Sequence, residues 1–155
     1  MTDPLYYGKP LYELACEYGV EDLIKNELSE IREAVSKNPK IILLLDCPGI
    51  ASDIRQKVAS DCFSGVHEYT LNFIKLLVQK RSIHLLFKCI SAYNNQYDKA
   101  HNIEYITAVT VIPLTPAEKE KLISSLQKKR GTTIKLKNVT DPSILGGIIL
   151  KFPDS

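Results

Sequence analysis

Histidine and cysteine are the side chains in this sequence most able to hold a metal, attack a carbonyl or move a proton, and it contains three of the first and four of the second. Their spacing assembles none of that chemistry. Zinc ligands come in closely spaced pairs, whereas Cys16, Cys47, Cys62 and Cys89 lie far apart, which fits buried thiols in a reducing compartment. His67, His84 and His101 form no ligand set or triad pattern and read as surface or helix-face residues. Gly146-Gly147 lacks the following Lys-Ser/Thr and the strand-to-helix setting of a phosphate cradle, so it reads as a crowded turn. The basic triplet Lys128-Lys129-Arg130 could meet phosphates, but its place suits the end of a helix better. Asn138-Val139-Thr140 matches a glycosylation sequon that needs a secretory route, and Met1-Thr2-Asp3-Pro4 opens neither a signal peptide nor a transit peptide.

Size and charge narrow the classes further. A chain of 155 residues makes one or two small domains and buries ~70% of its unfolded surface, enough for a core without staples. Twenty Lys and Arg against 18 Asp and Glu leave a formal charge of +2, which gives no electrostatic reason for nucleic acid or anionic lipid as a partner. No apolar stretch reaches the ~20 residues of a membrane span, so membrane association is expected only through partners.

The elements that must position any site are mostly helical. Tyr7, Leu11, Leu14 and Tyr18 recur at helical spacing, with Gly19 as a stop. Ile24, Leu28, Ile31 and Val35 form a second stripe, opened by Glu21 and Asp22 and limited by Pro39. Residues 41–45, bracketed by Pro39 and Pro48, suggest a short buried helix. Ile50, Ile54, Val58 and Cys62 mark a fourth, and Val66, Tyr69, Phe73 and Leu76 or Leu77 a fifth. Ile83, Phe87, Ile90, Tyr93 or Asn94, and Tyr97 mark a longer sixth. Each stripe needs a neighbour, and a bundle supplies it.

The period changes after about residue 102. Residues 103–112 are rich in Ile, Val, Thr and Tyr and read as a strand. In Pro113-Leu114-Thr115-Pro116-Ala117-Glu118, Thr115 is placed as an N-cap, Pro116 as the first helical residue and Glu118 as the reciprocal half of a capping box. The helix has Leu122, Ile123 and Leu126 on its apolar face and Gly131 at its end. Ile134 and Leu136 alternate with Lys135 and Lys137 as in a half-buried strand, and residues 148–150 give another. Asp141-Pro142-Ser143 reads as a turn. The expected fold is mainly α: a six-helix bundle over 1–102, then a small α/β domain over 103–155 in the order strand, helix, strand, strand.

Several of these segments carry a resemblance. Leu71-Asn72-Phe73-Ile74-Lys75-Leu76-Leu77-Val78-Gln79-Lys80-Arg81 resembles the segment before the last bundle helix of the ATP synthase delta subunit family, which includes the mitochondrial oligomycin-sensitivity-conferring protein. Val109-Thr110-Val111-Ile112-Pro113-Leu114-Thr115 is similar to that family's strand ending before a helix. Asp141-Pro142-Ser143-Ile144-Leu145-Gly146-Gly147 resembles its Asp-Pro-Ser-hydrophobic-hydrophobic-Gly-Gly element, and Tyr7 to Ala15 its first helix. The order and spacing agree, and the resemblance covers essentially the whole chain.

It implies a non-catalytic stator subunit without cofactor or metal, which joins the catalytic head to the peripheral stalk and resists rotor torque. The bundle is then expected to take the amphipathic N-terminal helix of an alpha subunit between its first and fifth helices. The matching positions are Tyr7, Pro10, Leu11 and Leu14 on the first helix and Asn72 and Leu76 on the fifth. The C-terminal domain, marked by Pro113, Leu114, Thr115, Asp141, Gly146 and Gly147, is expected to meet b-type stalk subunits, with those residues serving the fold. The implied place is the cytoplasmic face of a bacterial membrane, peripheral, with neither nucleic acid nor direct membrane insertion.

Three positions depart from the family pattern. Pro10 stands where a small helix former is usual, so the first helix is expected to start or kink there. Lys80-Arg81 lacks an intervening glycine, which implies a tighter turn. The family's closing strand, Asp-Gly-Ser element and terminal helix have no match in Lys151-Phe152-Pro153-Asp154-Ser155, so the C-terminal domain is expected to be incomplete. Rival readings are an RNA-binding or transcription-adaptor bundle, which would need a basic face with stacking aromatics, and a small enzyme whose site assembles only in three dimensions.

Overall fold

The computed structural model describes residues 3–152, the side chain of Leu5 excepted. The chain divides into two compact units, Met1–Tyr97 and Asp98–Ser155.

The first unit is built on helices α1 (Leu5–Glu17), α2 (Glu21–Lys37), α3 (Lys40–Leu45), α4 (Ser52–Cys62), α5 (Glu68–Gln79) and α6 (Leu86–Ala100), the last entered through a 3-10 turn at Ile83–Leu85. In α2 the buried set is Ile24, Leu28, Ile31 and Val35, a stripe at 3.6-residue spacing that stabilises by roughly 1.5–3 kcal/mol per fully buried side chain. Helix α5 sends Phe73, Ile74, Leu77 and Val78 into the same core, and α6 adds Leu86, Cys89, Ile90 and Tyr93.

Two helices differ from expectation. Residues 41–45 do form a helix, but only Leu45 is buried and Leu43 is 73% exposed. Helix α4 buries Arg55 and Ala59, while Ile54 is 54% exposed and Cys62 lies outside. Arg55 is 2% exposed, and its guanidinium donates to the carbonyls of Leu45, Ile50 and Val78 at 3.1 Å each. Two of those carbonyls belong to the last turns of α3 and α5, at the negative end of each helix dipole, and the Val78 carbonyl also accepts from the Arg81 N–H at 3.2 Å. A buried cation is tolerated there because ready acceptors surround it, and apolar periodicity cannot foresee that.

The second unit holds β1 (Ile103–Thr110), α7 (Pro116–Arg130), β2 (Thr133–Thr140) and β3 (Ile148–Lys151). The sheet order is β2-β1-β3, with β1 parallel to β2 and antiparallel to β3. A parallel pair needs a crossover, and α7 supplies it. Its apolar side, Leu122, Ile123 and Leu126, closes a small core with Ile106, Ile134, Leu136 and Leu150. Thr115 and Glu118 form the capping box, Pro116 opens the helix, and Gly131 ends it in the left-handed conformation at φ 67°.

Candidate functional site

Helix α1 starts at Leu5, with Pro4 at its cap accepting from the Tyr7 and Gly8 N–H groups. It therefore does not start at Pro10. That proline sits inside the helix, has no N–H to return to the Tyr6 carbonyl, and is tolerated on the exposed side. The opposite side of α1 approaches α6 closely. A Cβ placed on Gly8 would fall 2.5 Å from the Cys89 carbonyl oxygen and 2.7 Å from the Ala92 Cβ, so only glycine lets the two backbones meet at this point. A glycine inside a helical pattern was the signal for such an approach.

Tyrosines fix the helix from the same side. The Tyr12 ring lies edge-on to Tyr93 and Tyr97 at 5.4 and 6.4 Å. Tyr93 donates to the Glu21 carbonyl at 2.7 Å and Tyr97 to the Asp22 carboxylate at 2.5 Å, tying α6 to the start of α2. Burial pushes the Tyr12 hydroxyl up to about 12, with Cys16 adding to it.

With α1 held in this way, Tyr6, Tyr7, Pro10, Leu11 and Leu14 face Tyr69, Asn72, Phe73 and Leu76 of α5 across a groove of about 370 Å³. All six positions singled out from the sequence, Tyr7, Pro10, Leu11, Leu14, Asn72 and Leu76, line this one groove. Leu11 and Phe73 form its floor, and Asn72 and Leu76 stand exposed at its rim. Tyr6, Tyr69 and Phe73 were missed, although Tyr69 and Phe73 lie on the same α5 stripe. Tyr69 is braced by Tyr18 at 5.2 Å and His67 at 4.9 Å between ring centroids, and burial raises its hydroxyl pKa, with Tyr18 and Glu68 adding. The wall is apolar with polar tips.

The far end of α5 is held by strain. Arg81 takes φ 53° where a glycine would sit without cost, and the Ser82 N–H reaches back to the Leu77 carbonyl at 2.8 Å. At the near end Glu27, from α2, accepts from the His67 N–H at 2.8 Å and the Thr70 hydroxyl at 2.6 Å, placing a carboxylate where the α5 dipole favours one. A second apolar groove, of about 590 Å³ between α2, α3 and the start of α6, contains none of the six site positions expected from the sequence.

In the second unit the singled-out residues set turns. Leu114 donates its N–H to Asn138 Oδ1 at 2.8 Å, and Asn138 Nδ2 donates to the Ala108 carbonyl and Thr110 hydroxyl at 3.0 Å each. Asn138 thus pins the turn at Pro113 to β1, a role its sequon-like setting hid. Asp141 accepts from the Ser143 N–H at 2.9 Å and hydroxyl at 2.6 Å, bonds that hold its carboxyl below the ordinary range. Gly146 and Gly147 take φ 125° and 77°, backbone that side chains rarely adopt. Among the described residues no three His, Cys, Asp or Glu gather as metal ligands, and no helix is long and apolar enough to cross a membrane.

Fold and site define a class: a helical bundle with an apolar groove between its first and fifth helices, followed by a small α/β unit. The family model described as ATP synthase delta (OSCP) subunit matches residues 6–155. The chain belongs to the ATP synthase delta (OSCP) subunit family. It is 32% identical over 149 residues to the ATP synthase subunit delta of Lactobacillus johnsonii, covering 96% of this chain and 82% of that one. To the subunit delta of Flavobacterium johnsoniae it is 26% identical over 149 residues, covering 96% and 84%. Its fold is shared with a chain of the Toxoplasma gondii mitochondrial ATP synthase hexamer, with a TM-score of 0.70 at 21% identity over 96% of this chain and 85% of the other.

Proposed function

We infer that this chain is the non-catalytic stator subunit of a proton-translocating rotary ATP synthase. It links the catalytic alpha/beta head to the peripheral stalk and resists the torque of the rotor. The observation that carries this reading is the family match across residues 6–155. A head free to turn with its rotor would do no work at its nucleotide sites, so the stator acts by holding and needs no chemistry of its own.

Within that role we assign the α1–α5 groove to the N-terminal amphipathic helix of an alpha subunit. Support comes from the six predicted positions lining one apolar groove, with Gly8 setting the distance between α1 and α6 behind it. The second unit turns to the b-type stalk subunits, and the assembly sits peripherally on the cytoplasmic face of the membrane. The near-neutral charge disfavours the RNA-binding alternative.

Membranes carrying the ATP synthase but stripped of this subunit test the role. Adding the chain back is expected to restore ATP-driven proton pumping that the stripped membranes lack. Full pumping without the chain would contradict the stator reading.

A further inference from the structure

Helix α5 carries a histidine at its N-cap. His67 takes the extended backbone of a cap, φ −59° and ψ 148°, and its ring Nδ1 accepts from the Tyr69 N–H at 3.2 Å. Serine, threonine and asparagine fill this position with an oxygen that accepts whether the solution is acid or neutral. A histidine accepts only while its ring is neutral with the proton on Nε2, because both nitrogens of the charged ring donate. Histidine is also the side chain whose charge ordinarily changes between pH 5 and 8. His67 is half-buried, so protons from solvent reach it.

Two effects of protonation act in one direction. The Tyr69 N–H loses its acceptor, and a cation is placed at the positive end of the α5 dipole. Glu27 faces this turn from α2, Glu68 is the next residue along α5, and Glu17 and Tyr18 act on Tyr69 from the end of α1. These carboxylates draw a charged ring away from the N–H that it can no longer accept from. Glu27 still accepts from the His67 N–H and the Thr70 hydroxyl, at 2.8 and 2.6 Å, because neither donor titrates in this range. The body of α5 therefore stays in place, and only its first turn is released. That turn carries Tyr69, which lines the α1–α5 groove and packs on the His67 ring with centroids 4.9 Å apart. Loss of the cap loosens this wall of the groove.

We propose that His67 makes the α1–α5 groove sensitive to protons. With its ring neutral it fixes the first turn of α5 and Tyr69 with it; on protonation it releases that turn and weakens the hold on a bound helix. The inference rests on the assignment of this groove to a helix of the head and names how that contact is regulated. The head is held firmly at neutral pH and less firmly in acid.

The test is calorimetric titration of the full chain with a synthetic peptide of the alpha subunit's N-terminal helix at about pH 7.5 and about pH 5.5, repeated with His67→Asn. Asparagine caps at both values, and the peptide's own titration is common to both chains, as are His84 and His101. At about pH 7.5 the two chains are expected to bind within twofold of each other. At about pH 5.5 the unaltered chain is expected to lose about fivefold more affinity than His67→Asn, the loss of one helix cap. Amide hydrogen exchange of the unaltered chain without peptide gives a second reading that needs no variant: the protection factor of the Tyr69 N–H is expected to fall several-fold over the same range, and a constant factor would overturn the inference. Equal loss of affinity by both chains would also overturn it and leave the groove's occupant standing. No binding by the unaltered chain at about pH 7.5 would remove both the occupant and its regulation.

Discussion

Arg55 shows how a single residue can govern the bundle while escaping a reading of its sequence. A charged residue is assigned to the surface by default, because an unpaired buried ion is costly. Here three carbonyls converge on it, two of them from helix ends. Replacing it by methionine keeps the volume and removes the donors. The Val78 carbonyl keeps the Arg81 N–H, but Leu45 and Ile50 lose the guanidinium bonds. At ~1–3 kcal/mol per orphaned buried acceptor, Arg55→Met is expected to lower the unfolding free energy by roughly 2–4 kcal/mol. Denaturant titration measures it, and an unchanged midpoint would mean that water replaces the guanidinium without loss.

At the scale of elements, the sequence is most legible where local chemistry acts alone. Thr115, Pro116, Glu118 and Gly131 announce both ends of α7, because caps are local hydrogen bonds and dihedral preferences. The α2 stripe was equally plain. Helices α3 and α4 were found, but their buried faces were not, since Leu43 and Ile54 are apolar and exposed while Arg55 is charged and inside. Periodicity finds the helix, and only neighbours decide which face it buries. The groove was legible through α1 and the rim of α5; Tyr6 was missed. The placing of α1 depends on Gly8, whose importance appears only once α6 lies against it. Gly8→Ala forces the two backbones apart and is expected to cost ~1–3 kcal/mol through overpacking. Because α1 also lines the groove, a shift of α1 changes the groove's width, so binding of a helix there should weaken as well. Thermal unfolding and binding measured on one sample separate this from a purely local cost: loss of stability with unchanged binding would detach the groove from the α1–α6 contact.

Over the whole molecule, buried hydroxyl and thiol groups set an alkaline limit. Burial raises Cys89 from 9.0 to about 11 and Tyr12 from 10.0 to about 12, and it raises Tyr93 as well. A raised folded pKa means that the unfolded chain gives up its proton first. The stability these groups contribute is therefore complete below the ordinary values and is lost as pH rises through the folded ones. Unfolding free energy should stay level with respect to these groups up to about 9 and decline toward about 12. Denaturant midpoints across that range check it, and a level profile would place these groups in contact with water. Function asks for a stable body because a stator transmits force through its contacts. The contact we propose for the head is the α1–α5 groove, and the direct measurement is calorimetric titration of the chain with a synthetic peptide of an alpha subunit's first ~20 residues, repeated with Tyr7→Ala. One-to-one binding tighter than about a micromolar, roughly −8 kcal/mol, weakened at least tenfold by Tyr7→Ala, is the predicted result. Absence of binding, or equal binding by the Tyr7→Ala chain, would contradict the assignment of the groove to the head.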